Sequence, residues 1–148
     1  MQDNRQDTRL RDALGFALVR TFRGVNRMHN RALRPLGLSA EQAHVLIVLW
    51  IEGPMKIGEL QRTLALSSAT LTGAVDRMER AGLVRRVPDP ADRRAFRLEP
   101  VRIDARRRRA VEDTLEATEE RCFSALNRAE RRELMALLDK VAASLDDE

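Results

Sequence analysis

The sequence predicts a mainly α fold with one small β-hairpin, and three observations carry that prediction. Apolar residues recur at Ile57, Leu60 and Leu64 and again at Leu71, Val75 and Met78, the spacing of two short helices joined by a tight Ala65-Leu66 connection. Two β-prone runs, 83–87 and 95–98, then flank the turn-rich loop Pro88-Asp89-Pro90-Ala91-Asp92-Arg93-Arg94. Aromatics make up only 3% of the 148 residues and tyrosine is absent, so the core must rest on Leu, Val, Ile, Ala and Met, a composition suited to helices. Helix, turn, helix and hairpin in unbroken order make a winged helix-turn-helix.

The elements before it follow in order. Residues Met1 to Arg11 are polar and do not form a secretory signal. From Leu10 the positions Leu14, Leu18, Phe22, Val25, His29 and Leu33 trace one stripe of a long first helix that runs to Pro35. Ser39 with Gln42 three residues on is a capping box. It opens a second helix so apolar over 45–51 that burial on nearly every side is expected. Gly53-Pro54 stops that helix, and Met55-Lys56 offers a short strand to the hairpin.

In the helix-turn-helix, Ser67 is placed to cap the second helix and Gly82 to end it. With Leu71, Val75 and Met78 turned inward, Ser68, Thr70, Thr72, Gly73, Asp76, Arg77 and Arg80 face outward. Small hydroxyls and arginines let a helix lie close inside a major groove and read base edges. Ser67 suits a phosphate at the helix N-terminus, and Ser68, Thr70, Thr72 and Arg77 suit groove contact. Arg93 and Arg94 at the hairpin tip suit a narrow, negative minor groove. Asp92 is expected to orient an arginine of the wing or Arg77. Beyond the hairpin, Pro100 is expected to open a helix whose apolar side is Ile103, Val111, Leu115 and Cys122. Asn127 with Glu130 repeats the capping-box pattern, and Leu134, Leu137, Leu138, Val141 and Leu145 stripe the last helix.

The stretches at Leu38 to Leu46, Gly58 to Leu60, Ser67 to Val84 and Asp89 to Arg94 resemble the MarR family of bacterial transcription factors, over roughly residues 36 to 98. The resemblance implies a winged helix in residues 39–100 and helical dimerisation regions in 1–38 and 101–148. It further implies a homodimer on a pseudo-palindromic operator in double-stranded DNA, and repression relieved by a small aromatic or phenolic effector in a crevice between the dimer helices and the DNA-binding lobe. His29, His44, Trp50 and Met55 are the expected pocket liners, with walls from the first two helices and the helix after the wing. Two rivals share the fold, a protein-contacting antirepressor and an effector-independent DNA-binding protein.

Charge supports a polyanionic partner. The net charge is +4, and its distribution is uneven: 85–109 carries +6 and 110–148 carries −6. The run Arg106, Arg107, Arg108, Arg109 reads either as a solvated face or as a phosphate contact, with at most two of the four facing one partner. No catalytic constellation is present, and no metal or cofactor is expected. His29 and His44 lack a third ligand and read as packing residues. The lone Cys122 excludes an internal disulfide and reads as a buried stripe residue. No membrane segment is found, and a reducing, cytoplasmic setting is expected.

Overall fold

The computed structural model describes residues 13–92, 94–102 and 105–145; Leu10, Arg93 and Ile103 fall outside them. The described elements are α1 (Leu14–Leu33), a 3-10 turn (Arg34–Leu36), α2 (Ala40–Glu52), β1 (Met55–Lys56), α3 (Ile57–Leu64), α4 (Ser68–Arg80), β2 (Val84–Pro88), β3 (Phe96–Pro100), α5 (Ala105–Cys122) and α6 (Arg128–Leu145). The expected mainly α winged helix-turn-helix with a β-hairpin wing is the architecture observed.

Capping chemistry sets the helix boundaries. Ser39 Oγ accepts the Gln42 N–H at 3.2 Å while Gln42 Oε1 accepts the Ser39 N–H at 3.0 Å, so both halves of the expected capping box are made. Asn127 and Glu130 repeat the exchange before α6, with Asn127 N donating to Glu130 Oε2 at 2.8 Å. Gly82 sits at φ +68° after α4, and Leu83 N reaches back to Met78 O at 2.9 Å, which closes the helix with a Schellman turn. The α3–α4 turn is made differently. Ala65 occupies the left-handed region at φ +49°, where a Cβ crowds the following carbonyl, and Leu66 N bonds back to Gln61 O at 3.2 Å.

The three strands pair antiparallel in the order β1-β3-β2. Pro100 is the last residue of β3, opposite Val84, and does not open α5 as expected. The hydrogen bonds Asp89 N to Ala95 O and Val101 N to Leu83 O, both 2.9 Å, fix the alternation of the β2–β3 ladder. Pro88 and Pro100 therefore occupy non-hydrogen-bonded positions, where β2 and β3 ask no N–H of either.

One core binds the lobe. Leu33 from α1, Leu49 from α2, Leu60 from α3, Leu71, Val75 and Met78 from α4, Leu98 from β3 and Val111 from α5 are almost fully buried together. The expectation that α2 is buried on nearly every side holds only in part. Val45, Leu46 and Leu49 are buried, His44 is exposed and Ile51 is 70% exposed, because α1, α3, α4 and the sheet together leave those two positions of α2 uncovered. The N-terminal half of α1 and all of α6 also leave apolar side chains uncovered: Leu14 is 83% exposed, Phe22 67%, and α6 has no buried residue.

Replacing Ala65 with glycine removes the left-handed penalty at the α3–α4 turn, partly offset by the larger entropy of an unfolded glycine. Urea unfolding is expected to show A65G more stable than the parent by about 0.5–1 kcal/mol. An unchanged or lower midpoint would contradict a strained turn.

Candidate nucleic-acid interface

Helix α4 is the centre of the site. Ser67, its N-cap, accepts the Thr70 N–H at 3.2 Å and donates its hydroxyl to Thr70 Oγ1 at 2.7 Å, so Thr70 keeps its own O–H for an outside acceptor. Ser68, Thr70, Thr72, Asp76, Arg77 and Arg80 are exposed along one side of the helix, as their spacing predicts, and Ala69 joins them. Gly73 is half-buried, and a Cβ there would stand 3.4 Å from Nη1 of Arg77, so the glycine leaves room for that guanidinium. Arg77 Nη2 in turn lies 3.8 Å from Glu41 Oε1 on α2.

The wing is fixed to α4 by Arg86 of β2, a residue the sequence pattern did not single out. Its guanidinium bonds Asp76 at 2.9 Å and also Glu79, while its backbone N–H donates to Glu79 Oε1 at 3.2 Å. The Asp76 hydrogen bond is the main reason that the Arg86 pKa is raised. Two carboxylates beside a surface offered to phosphates are thereby matched by one cation.

The wing loop is organised by Asp89, which sequence reasoning also missed. Its side chain is shielded from solvent; Oδ1 accepts the Ala91 N–H at 2.8 Å, and Oδ2 meets Arg97 Nε at 3.1 Å and Lys56 Nζ at 3.3 Å. The Ala91 N–H chiefly, with Arg97 and Lys56, lowers the Asp89 pKa from 3.8 to about 2 against the opposing effect of burial. The available signal was a lone acid between two prolines in the most basic part of the chain. Asp92 accepts the backbone N–H of Arg94 at 2.9 Å, so it shapes the tip, and among the described residues no ion pair joins it to Arg77 or to another guanidinium. Arg94 is exposed at that tip; Arg93 lies outside the described residues.

The four expected pocket liners are placed differently around the lobe. A crevice of about 390 Å³ is lined by Phe22, Asn26 and Asn30 of α1, Ser39, Glu41 and His44 around the start of α2, and 64–66 of the helix-turn-helix. Only His44 of the four lines it, and the α3–α4 turn stands where a wall from the helix after the wing was expected. His29 is buried behind it, its Nδ1 3.2 Å from Val25 O and its ring 5.8 Å from that of His44. Desolvation first, then His29, holds the His44 pKa below the ordinary histidine range. Trp50 follows His44 by six residues, about 240° around the helix, and lies beneath the Arg108 guanidinium at 5.2 Å. Met55 packs in β1 against the core.

The remaining candidates, the Arg106 to Arg109 run and Cys122, lie on α5. Arg108 bonds Glu112 at 2.8 Å, while Arg106, Arg107 and Arg109 are exposed. Cys122 is half-buried with its thiol 3.6 Å from Met28 Sδ, and burial, then Glu119, pushes its pKa up, away from the reactive thiolate. Among the described residues no group of three or more metal-ligating side chains occurs, and no helix is long and apolar enough to cross a membrane.

Asp89 makes the fold acid-sensitive in a defined window. Because its folded pKa of about 2 lies below the ordinary 3.8, its stabilisation is complete above about pH 4 and is lost as pH falls towards 2. Thermal melts across that range are expected to show a steep decline for the parent chain. D89N should start lower at neutral pH and decline less; parallel curves would contradict the assignment.

With this geometry in place, the chain can be set beside known proteins. Residues 38–96 match the MarR family. The chain is 40% identical over 73 residues to the uncharacterised HTH-type transcriptional regulator YcgE of Bacillus subtilis, a match spanning 49% of this chain and 47% of that relative. It is 28% identical over 141 residues, 93% of each chain, to the transcriptional regulator MgrA of Staphylococcus aureus. Among solved structures, a cysteine-to-serine mutant of MarR from E. coli complexed with operator DNA superposes with a TM-score of 0.74 at 25% identity, over 86% of this chain and 92% of the other. BpsR of Bordetella bronchiseptica, whose DNA binding is regulated by 6-hydroxynicotinic acid, superposes at 0.77 and 26% identity, over 89% and 94%. A matching family model over residues 38–96, a regulator aligned along almost the whole length and the same three-dimensional arrangement make this chain similar to the MarR family of transcriptional regulators.

Proposed function

We propose that this chain is a cytoplasmic, non-catalytic DNA-binding repressor, acting as a homodimer on a pseudo-palindromic operator and released by a small aromatic ligand. The observation that carries the reading is the outward face of α4: Ser68, Thr70, Thr72 and Arg77 stand exposed on a helix capped by Ser67, beside a wing tip carrying Arg94. The hydroxyls and Arg77 read base edges in the major groove, Ser67 presents the helix N-terminus to a phosphate, and Arg93 and Arg94 enter the adjacent minor groove. The likeness to MarR bound to operator DNA supports this assignment.

The dimer follows from uncovered apolar surface at the two ends of the chain. Leu14, Phe16 and Phe22 of α1 and Met135, Leu137 and Leu145 of α6 are each more than half exposed. A two-fold partner that covers both faces sets two α4 helices roughly 34 Å apart, one turn of duplex. The crevice, between α1 and the helix-turn-helix, has the volume of a small-molecule site. BpsR, regulated by 6-hydroxynicotinic acid, is a precedent for a small aromatic effector on this fold. Selection from random duplexes tests the reading, and a palindromic consensus is the expected product. Salt-insensitive or absent DNA binding would favour a protein-contacting antirepressor; binding without a consensus would favour an effector-independent protein.

Two mutations probe the parts separately. R94A is expected to weaken binding to every duplex alike and to reduce the slope of log K against log salt by about one. A changed base preference with the affinity elsewhere preserved would contradict a minor-groove role. The pair L138E and V141E places charge in the apolar face of α6 and is expected to yield monomers in sedimentation, with at least a roughly tenfold loss of operator affinity. A dimer that survives this change would move the interface elsewhere.

A further inference from the structure

Glu41, in the first turn of α2, belongs to two places at once. It lines the crevice, and it is the residue of α2 that faces Arg77 of α4. Its Oε1 is buried and has no hydrogen-bond partner: Arg77 Nη2, at 3.8 Å, is close enough to attract it but beyond hydrogen-bond reach. A buried acceptor left unmet is costly, and any donor that reaches it recovers that cost.

The crevice is built so that such a donor can come from a ligand. Two neighbouring polar side chains, Asn30 and Ser39, are already engaged. Asn30 Oδ1 accepts the Ala40 N–H at 2.9 Å, Asn30 Nδ2 donates to Asn26 O at 2.8 Å, and Ser39 Oγ accepts from Gln42. Phe22, Leu64 and Leu66 supply apolar wall for a ring. Resting on the reading of the chain as a ligand-responsive DNA-binding protein, we propose that Glu41 is an exchangeable acceptor, shared between Arg77 of the recognition helix and an N–H or O–H donor on an uncharged aromatic ligand in the crevice.

Two consequences follow from the charge. A ligand that turns a carboxylate towards Glu41 meets like charge in a partly desolvated site and is disfavoured, whereas an amide or hydroxyl supplies the missing donor. As the Glu41 carboxylate turns to that donor, Arg77 loses the anion that orients it. Arg77 is 58% exposed, so it is then free to leave the pose in which it reads the groove. Ligand binding and DNA binding are coupled through one side chain and must weaken each other equally.

The test uses benzamide and benzoate, which differ in carrying an N–H donor or a carboxylate and have no hydroxyl, as probes near pH 8, where His44 is neutral. Probe affinity is read by calorimetry, and DNA affinity by anisotropy of a duplex chosen by selection. The parent chain is expected to bind the amide at least tenfold more tightly than the benzoate. E41Q, which removes the charge and adds an N–H donor, should erase or invert that preference, an outcome that a merely structural role for Glu41 does not produce. The amide should weaken DNA binding of the parent roughly tenfold, and by less than twofold in E41Q and in R77A, with R77A still binding the amide. An unchanged preference in E41Q, coupling that persists in R77A, or no binding of either probe by the parent chain overturns the exchange. Salt-dependent DNA binding by the parent in the same experiments keeps the underlying reading intact; its absence removes both.

Discussion

The carboxylate of Asp89 is held away from water at the base of the wing, and a buried anion persists only where cations and N–H groups surround it. The groups that surround it come from every strand of the sheet. Lys56 belongs to β1 and Arg97 to β3, while Asp89 itself follows β2 and takes its third bond from Ala91 in the loop. β1 spans only two residues and has two paired positions, too few to hold a strand in place alone. The charge cluster therefore defines the three-stranded sheet as a unit and sets the direction in which the loop leaves it.

From that base the constraint spreads to α4. Arg86 stands three residues before Asp89 and clamps Asp76 and Glu79 of α4, so wing and helix are joined by charge as well as by the buried Leu71, Val75 and Met78. An interface that grips two grooves needs its two parts at a fixed separation. Here Asp76 and Glu79 supply the link, and Arg86 balances one of their two charges. Arg94 is then presented by backbone geometry alone, through Asp92 and the Asp89–Ala95 bond.

Much of this was legible in the residues because it is local. Capping boxes at Ser39 and Asn127, the Ser67 cap, the Gly82 stop and the period of the α4 stripe each depend on neighbours within four positions. What could not be read depends on which distant element covers which face. Pro100 looked like a helix start because its place in the β2–β3 alternation is invisible without the pairing. His29 and Trp50 were expected beside His44 in the pocket, but α1 turns 22, 26 and 30 to the crevice and 25, 29 and 33 to the core, and only tertiary packing decides between those stripes. Asp89 and Arg86 were hidden for the same reason: their partners lie 8, 33, 10 and 7 residues away.

Helix α1 shows how one stripe can serve two purposes. Its positions Leu14, Leu18, Phe22, Val25, His29 and Leu33 form a continuous apolar line, yet exposure falls from 83% at Leu14 to 0% at Leu33. The C-terminal half is bound into the winged lobe, and the N-terminal half projects beyond it with its apolar face open. The crevice opens where the two halves meet, at Phe22, Asn26 and Asn30, against the strained Ala65 turn that joins α3 to α4. The crevice therefore takes its walls from both regions. The same polar and apolar pattern thus gives α1 its two tasks, one half held in the lobe and the other with its apolar face open.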